Sequence, residues 1–297
     1  MKIIYDNYQN IKNTDQLTLT LGNFDGVHLG HQQLIKRVIS YKDSKHALMT
    51  FDPHPSAVLR RQNFTTLTQK EDKMGYLTQY QLDYIFVVKF DMEFSKLSVM
   101  EFITFLKNLN VKRIVIGRDA RFAYRGQGSV DDFKKYFIVD VLDDLLYNST
   151  RVSTTYIKDF LRQGQLDLAR KLLNKHYEIC GTIVYGNQIG KQLGFPTANV
   201  DYGNYFLPKN GVYYVNIEMD GEIYSGVANI GYNPTVNYSQ TKKLEIFILD
   251  FQGNIYQKAV KVIFLFYLRE EKKFKDRDEL IKQIKDDEVQ VRKLLKK

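Results

Sequence analysis

Gly22-Asn23-Phe24-Asp25-Gly26-Val27-His28-Leu29-Gly30-His31 is the stretch of this chain with the most chemistry in the fewest residues. It leaves an alternating apolar run and enters a helical pattern. Glycines at such a turn let backbone amides approach an anion closely. The N-terminus of the following helix adds unpaired N–H donors and partial positive charge. Two histidines three residues apart, with a glycine between them, can both donate to one phosphate. The segment therefore reads as a triphosphate site. A structural histidine pair and a metal-ligand pair are the competing readings. With one cysteine and five histidines in the whole chain, few further ligands are left for a metal.

Two segments in the second half also carry chemistry. Residues 186–199 are glycine-rich and include Gly190, Lys191 and Gly194, as a loop covering phosphates would. They lack the Gly-x-x-x-x-Gly-Lys-Ser/Thr spacing of a P-loop, so a plain surface loop is the alternative. Glu245 lies in the apolar run 244–251, on the face shared by Phe247 and Leu249. A carboxylate there is costly unless it is paired or used. A salt bridge or a strand end reaching solvent would satisfy it equally well.

The elements that must hold these residues differ between the halves. Residues 17–21, 47–51, 84–90, 113–117 and 136–142 read as strands, and 31–41 and 98–109 as helices between them. Such alternation predicts a parallel sheet covered on both faces, with ligands at the C-terminal ends of its strands. Residues 153–174 read as helix, broken at Gln163-Gly164, and a domain boundary follows near Lys175, giving domains 1–175 and 176–297. Beyond it, 178–185, 211–219, 222–230, 244–251 and 259–268 read as strands. Asp220-Gly221 marks a tight hairpin. Short strands with tight turns predict a small antiparallel barrel. Residues 276–297 close the chain as an amphipathic helix, with Leu280, Ile281, Ile284, Val289, Val291 and Leu294 as its apolar positions.

Composition bounds the class. At 297 residues two domains are the prior. With 44% apolar and 26% charged residues, the chain is no disordered segment. The longest unbroken apolar run, 262–268, is far short of a membrane span. The N-terminal residues lose their apolar character too early for a secretory signal. One cysteine, Cys180, permits no internal disulfide and reads as a small buried hydrophobe. Cytoplasm is the expected compartment. The net charge of +9 favours anionic partners, but Lys and Arg are interleaved with Asp and Glu. Nucleic acid is thus the weaker expectation, and a membrane is not expected. The sequence sets no oligomeric state.

The motifs together resemble one family. Gly22 to His31 looks like the His-x-Gly-His signature of nucleotidyltransferases, in the form typical of prokaryotic FAD synthetases. Ser153-Thr154-Thr155-Tyr156-Ile157-Lys158 is similar to the second signature of that superfamily, and Thr50-Phe51-Asp52-Pro53-His54-Pro55 to a further segment. Phe195-Pro196-Thr197-Ala198-Asn199 resembles the Pro-Thr-Ala-Asn motif of riboflavin kinases. Gly226-Val227-Ala228-Asn229-Ile230-Gly231, Asn233-Pro234-Thr235 and the stretch from Tyr267 to Phe274 match other segments of those kinases. The resemblance spans nearly the whole chain. It implies a bifunctional riboflavin kinase/FAD synthetase: a doubly wound α/β nucleotidyltransferase domain, then an all-β riboflavin kinase barrel with a terminal helix.

By that resemblance, His28 and His31 stabilise phosphates in adenylyl transfer from ATP to FMN. Gly22, Asn23, Phe24, Asp25 and Gly30 shape the ATP loop. Ser153, Thr154, Thr155 and Lys158 hold phosphates, and Asp119 helps form the flavin pocket. In the second half, Gly190, Lys191 and Gly194 cover ATP. Thr197 and Asn199 offer hard oxygen ligands to Mg²⁺. Glu245 is the base for the ribityl 5′-hydroxyl of riboflavin, and Arg269 contacts flavin. Riboflavin, FMN, FAD and ATP are the implied small molecules. Three positions depart from the family pattern: Lys158 stands for Arg, which removes the bidentate fork, Ala120 for an aromatic residue, and Ala123 for glycine. A chain that keeps only the kinase, or a flavin-sensing regulator on the same fold, are the alternatives.

Overall fold

Leu17 and Leu19 alternate with Thr18 and Thr20, a pattern that would give a strand one wet face, yet all four are buried. The reason is position, because this strand lies inside a parallel sheet whose two faces are both covered. The computed structural model describes residues 1–59, 64–185, 197–232, 242–251, 253–272 and 274–295. By its own contacts the chain divides into Met1–Thr154 and Thr155–Lys297.

The first unit has six parallel strands: β1 (Lys2–Asp6), β2 (Leu17–Leu21), β3 (Lys45–Asp52), β4 (Tyr84–Lys89), β5 (Val111–Gly117) and β6 (Ile138–Leu142). Their order is β1-β4-β3-β2-β5-β6. Helices α1 (Leu29–Ser40), α2 (Pro55–Leu59), α3 (Lys70–Leu77), α4 (Val99–Asn108) and α5 (Val130–Lys134) connect them. A two-residue hairpin, β7 (Leu146–Tyr147) and β8 (Thr150–Arg151), follows. Period-2 alternation sorts the strands' side chains into two cores. Leu19, Met49, Phe86 and Ile114 pack with Phe102 and Leu106 of α4. Leu48, Ile85 and Val115 pack with Ile35 and Val38 of α1 and Leu77 of α3.

The order reverses between β2 and β5. The chain builds outward from β2 through β3 to β4, then returns to lay β5 on the other side of β2. Loops leaving these two strands part there, and the opening at their C-terminal ends is where such sheets take ligands. The expected strands form the body of the sheet, and β1 is an addition at its edge. Helix α1 begins at Leu29, earlier than position 31, because His28 serves as its N-cap. Helix α4 is closed by a capping box between Ser98 and Glu101.

In the second unit, α6 (Thr154–Arg162) and α7 (Leu166–Leu173) are separated at Gly164, whose φ of +75° ends the first helix. Helix α7 packs on the barrel strands, so contacts group both helices with this unit, ahead of the division expected near Lys175. The strands are β9 (Tyr177–Val184), β10 (Thr197–Asp201), β11 (Gly211–Met219), β12 (Glu222–Tyr232), β13 (Lys242–Ile248) and β14 (Ala259–Arg269). They form a closed antiparallel barrel in the order β10-β13-β12-β11-β14-β9. Asp220 and Gly221 join β11 to β12 with φ of +53° and +84°, the left-handed pair a two-residue hairpin requires. Alternation points Ile179 into the barrel, while Cys180 is half-buried, a departure from the fully buried site expected for it.

Helix α8 (Arg277–Leu295) ends the chain, capped by Asp276, which accepts from the Glu279 amide at 2.9 Å. Val291 is buried against Tyr214 and Leu249. Val289, expected on the same face, is 50% exposed. The stripe at helical spacing runs 284, 287, 291, 294, so Asp287 takes the inward position instead. Its carboxylate is buried in a two-point pair with Arg269, Nε to Oδ1 at 2.8 Å and Nη2 to Oδ2 at 2.7 Å. Removing one partner of a buried pair leaves the other charge uncompensated. Asp287→Ala is expected to destabilise the second unit by about 3 kcal/mol, measured as a lower midpoint in urea.

Candidate functional site

The loop after β2 takes an unusual path. Phe24, Gly26 and Val27 have φ of +51°, +77° and +43°. A β-branched residue in this region is strained and persists only where its surroundings hold it. The restraints are local and buried. The Asp25 carboxylate accepts from the amides of Leu67 at 2.8 Å and Thr68 at 3.0 Å. The Thr68 hydroxyl accepts from the Gly26 amide at 3.0 Å. The Thr154 hydroxyl donates to the Asp25 carbonyl at 3.2 Å. Asp25 thus shapes the loop by tying it to residues 67–68.

That path delivers His28 to the N-terminus of α1. Its Nδ1 accepts from the His31 amide at 3.4 Å, which leaves Nε2 as the protonated nitrogen. The two imidazoles stack, with centroids 3.6 Å apart and planes 18° from parallel. Phe24 backs His31 at 4.9 Å. Gly30 makes room, since a Cβ there would come within 3.3 Å of the His28 ring. Burial, then the charge of Arg151, pushes the His28 pKa down to about 4. Burial, with His28, Arg151 and Lys73 adding to it, holds His31 well below its ordinary value. Both rings are therefore neutral N–H donors at pH 7, and Nδ1 of His31 is buried without a partner.

Arg151 was not singled out by sequence, though it immediately precedes the Ser153-to-Lys158 motif. It forms ion pairs with Asp119, just past β5, and with Asp144 at 3.0 Å. Asp119 therefore stands at the sheet's opening with its carboxylate engaged. Ala123 has φ +64° and ψ −169°, a conformation that suits glycine. Ala120 and Ala123 both pack on the core that holds Phe122. Ser153 is half-buried and Thr155 exposed. Lys158 lies on α6, its Nζ 5.7 Å from the centre of the Phe206 ring.

In the barrel, buried Leu244, Ile246 and Ile248 alternate with Glu245 and Phe247 on the outer face of β13. Register places Asn199 of β10 and Asn229 of β12 directly beside Glu245, one on each side. Thr197 stands opposite Phe247 on the same face. Burial raises the Glu245 pKa, with Glu271 adding to the effect and Lys243 opposing it. The Glu271 carboxylate fills the space a side chain at Gly231 would need and accepts from Asn210 at 3.4 Å. Thr197, Asn199 and Glu245 give one face a set of hard oxygen donors, which suits Mg²⁺. Among the described residues, no group of three or more His, Cys, Asp or Glu could hold a metal alone. Gly190, Lys191 and Gly194, and the segment 233–235, lie outside the described residues.

The FAD synthetase profile matches residues 10–156 and the riboflavin kinase profile residues 173–295. Over 285 residues the chain is 38% identical to the bifunctional riboflavin kinase/FMN adenylyltransferase of Listeria monocytogenes, covering 92% of this chain and 91% of that one. The chain belongs to the bifunctional riboflavin kinase/FMN adenylyltransferase family. A second relative of that name, from Bacillus subtilis, is 37% identical over 91% of this chain and 89% of its own. A crystal structure described as a macrolide-efflux protein from Streptococcus pneumoniae shares the architecture, with a TM-score of 0.87 at 29% identity, covering 98% of this chain and 99% of that one. Among the described residues no helix is long and apolar enough to cross a membrane.

Set beside the family reading, Arg269 stands apart. Both edges of its guanidinium are in use, on Asp287 and on the Glu270 carbonyl at 3.0 Å. A flavin would meet only its remaining N–H donors. Asn229 beside Glu245, and Lys73 beneath the first site, join Arg151 as residues to which sequence reasoning gave no role. Asn229 lay within the matched segment 226–231, as a polar residue at an alternate position of an apolar strand.

Proposed function

We propose that this family member performs two successive ATP-dependent transfers, riboflavin to FMN in the barrel and FMN to FAD in the parallel-sheet unit. The observation that carries the reading is the presence, in one chain, of Glu245 flanked by Asn199 and Asn229, and of the stacked His28–His31 pair beside a helix N-terminus. ATP-dependent flavin phosphorylation and adenylylation are transferase reactions. We place them in the cytoplasm, in keeping with a single cysteine.

In the kinase reaction Glu245 accepts the proton of the ribityl 5′-hydroxyl as that oxygen attacks the γ-phosphate, and ADP leaves. Burial makes this carboxylate a stronger base. Thr197 and Asn199 would hold Mg²⁺, which supplies charge neutralisation at the ATP phosphates. Gly190, Lys191 and Gly194 cover those phosphates, and Arg269 orients flavin from the end of β14.

In the adenylyl transfer a phosphate oxygen of FMN attacks the α-phosphate of ATP, and the bond to the bridging oxygen breaks to release pyrophosphate. The nucleophile is already an anion, so the work is positioning and neutralisation. His28 and His31 donate N–H groups to the phosphates, with the first amides of α1. Arg151 adds a guanidinium held by Asp119 and Asp144. Gly22, Asn23, Phe24, Asp25 and Gly30 form the loop. Ser153, Thr154, Thr155 and Lys158 serve the phosphates through the motif they share, and Asp119 serves the flavin. The functional division is then 1–175 and 176–297, which assigns α6 to this reaction.

The test is chromatography of flavins after incubating the full chain with ATP and Mg²⁺, starting from riboflavin and from FMN, oxidised and reduced. FAD from both is expected. FMN without FAD would restrict the function to the kinase and point to Ala120, Ala123 and Lys158. No product in any tube would overturn the enzymatic reading in favour of a flavin sensor.

A further inference from the structure

A lysine is buried beneath the first site. Lys73, on α3, is only 7% exposed. Its Nζ donates to the Thr50 hydroxyl at 3.1 Å, the Asn23 carbonyl at 3.3 Å and the Phe51 carbonyl at 3.4 Å. The Thr50 hydroxyl in turn donates to the same Asn23 carbonyl at 3.2 Å. These oxygens lie at the C-terminal ends of β2 and β3, just past Leu21 and Met49, the last pair of the ladder between those two strands. An ammonium has three N–H donors, and three protein oxygens take them. None is left for a phosphate.

Burying a cation is expensive, and a well-packed apolar side chain commonly serves stability as well or better. A buried lysine at this place therefore asks for a role beyond packing. Asn23 immediately precedes the strained turn from Phe24 to Val27, and that turn sets His28 at the N-terminus of α1. We propose that Lys73 is a positioning residue for adenylyl transfer, clamping the Asn23 carbonyl so that the turn holds its left-handed path and presents the His28–His31 pair. The proposal rests on the adenylyltransferase reading of this unit.

The two activities of one chain supply the control. Lys73→Met keeps the length of the side chain and removes its donors. FMN-to-FAD conversion and riboflavin phosphorylation are measured on the same preparation, with thermal melting alongside. The kcat for FAD formation is expected to fall about 10- to 100-fold, as for a small misplacement of reacting groups, while KM for ATP and FMN changes less than about threefold. Riboflavin phosphorylation is expected to stay unchanged. Thr50→Val, nearly isosteric, removes one acceptor and the second donor to Asn23, and is expected to lower the same kcat less. A rise in KM for ATP at constant kcat would make Lys73 a phosphate contact and overturn the proposal. So would full FAD turnover in Lys73→Met. If Lys73→Met does not fold, unchanged kcat in Thr50→Val overturns it. A wild-type chain that makes FMN but no FAD removes the adenylyltransferase reading itself, and the proposal with it.

Discussion

Glu245→Gln is expected to lower riboflavin phosphorylation by about three orders of magnitude, within the range of a lost general base. The substitution keeps the size and hydrogen-bonding reach of the side chain and removes its basicity. FMN-to-FAD conversion is expected to continue, because no residue proposed for it lies on the barrel. Chromatography of flavins from riboflavin and from FMN separates the two effects, and unchanged kinase turnover would remove Glu245 from the mechanism. The pH profile carries a second signature. Burial raises the Glu245 pKa, and a base works only when ionised. The acid limb of the kinase kcat/KM is therefore expected to be shifted upward from the ordinary glutamate value, and lost in the Gln variant.

Replacing His28 and His31 together by Ala is expected to have the mirror-image effect. One donor to developing charge is worth about 10²- to 10³-fold, so losing both is expected to take FAD formation below detection in a routine assay, with FMN formation intact. Normal FAD output would refute the assignment. The free imidazoles are neutral, with His28 unprotonated until about pH 4. The kcat/KM for ATP, which reports the free enzyme, is expected to lack an inflection near the ordinary histidine value. Such an inflection would mean that the working form is an imidazolium.

Local signals were legible in the sequence and long-range ones were not. Asp220-Gly221 forms its hairpin because the conformation it needs is a property of those two residues. The glycine-histidine loop was legible for the same reason, since its glycines and the α1 N-terminus are neighbours in the chain. Strand β10 was read as a motif and not as the strand that closes the barrel, because closure depends on pairing with β9 and β13. Asp287 hid behind Val289. A carboxylate on the inner stripe of α8 makes sense only once Arg269 is seen across from it. Arg151 and Lys73 escaped because their partners, Asp119 and the carbonyl ends of β2 and β3, are reached only through the fold.

The place of β1 has a consequence for how the protein is made. Among the described residues its sole strand neighbour is β4, register running Lys2 to Tyr84 through Asp6 to Val88. A ribosome adding about 5–20 residues per second reaches β4 on the order of ten seconds after β1. Through that interval Ile3 and Tyr5 emerge with no ladder to join, on a segment whose backbone groups remain open to other strands. Strand β1 is thus made before its partner and cannot dock until β4 exists. Until then its edge stays open to pairing with other strands.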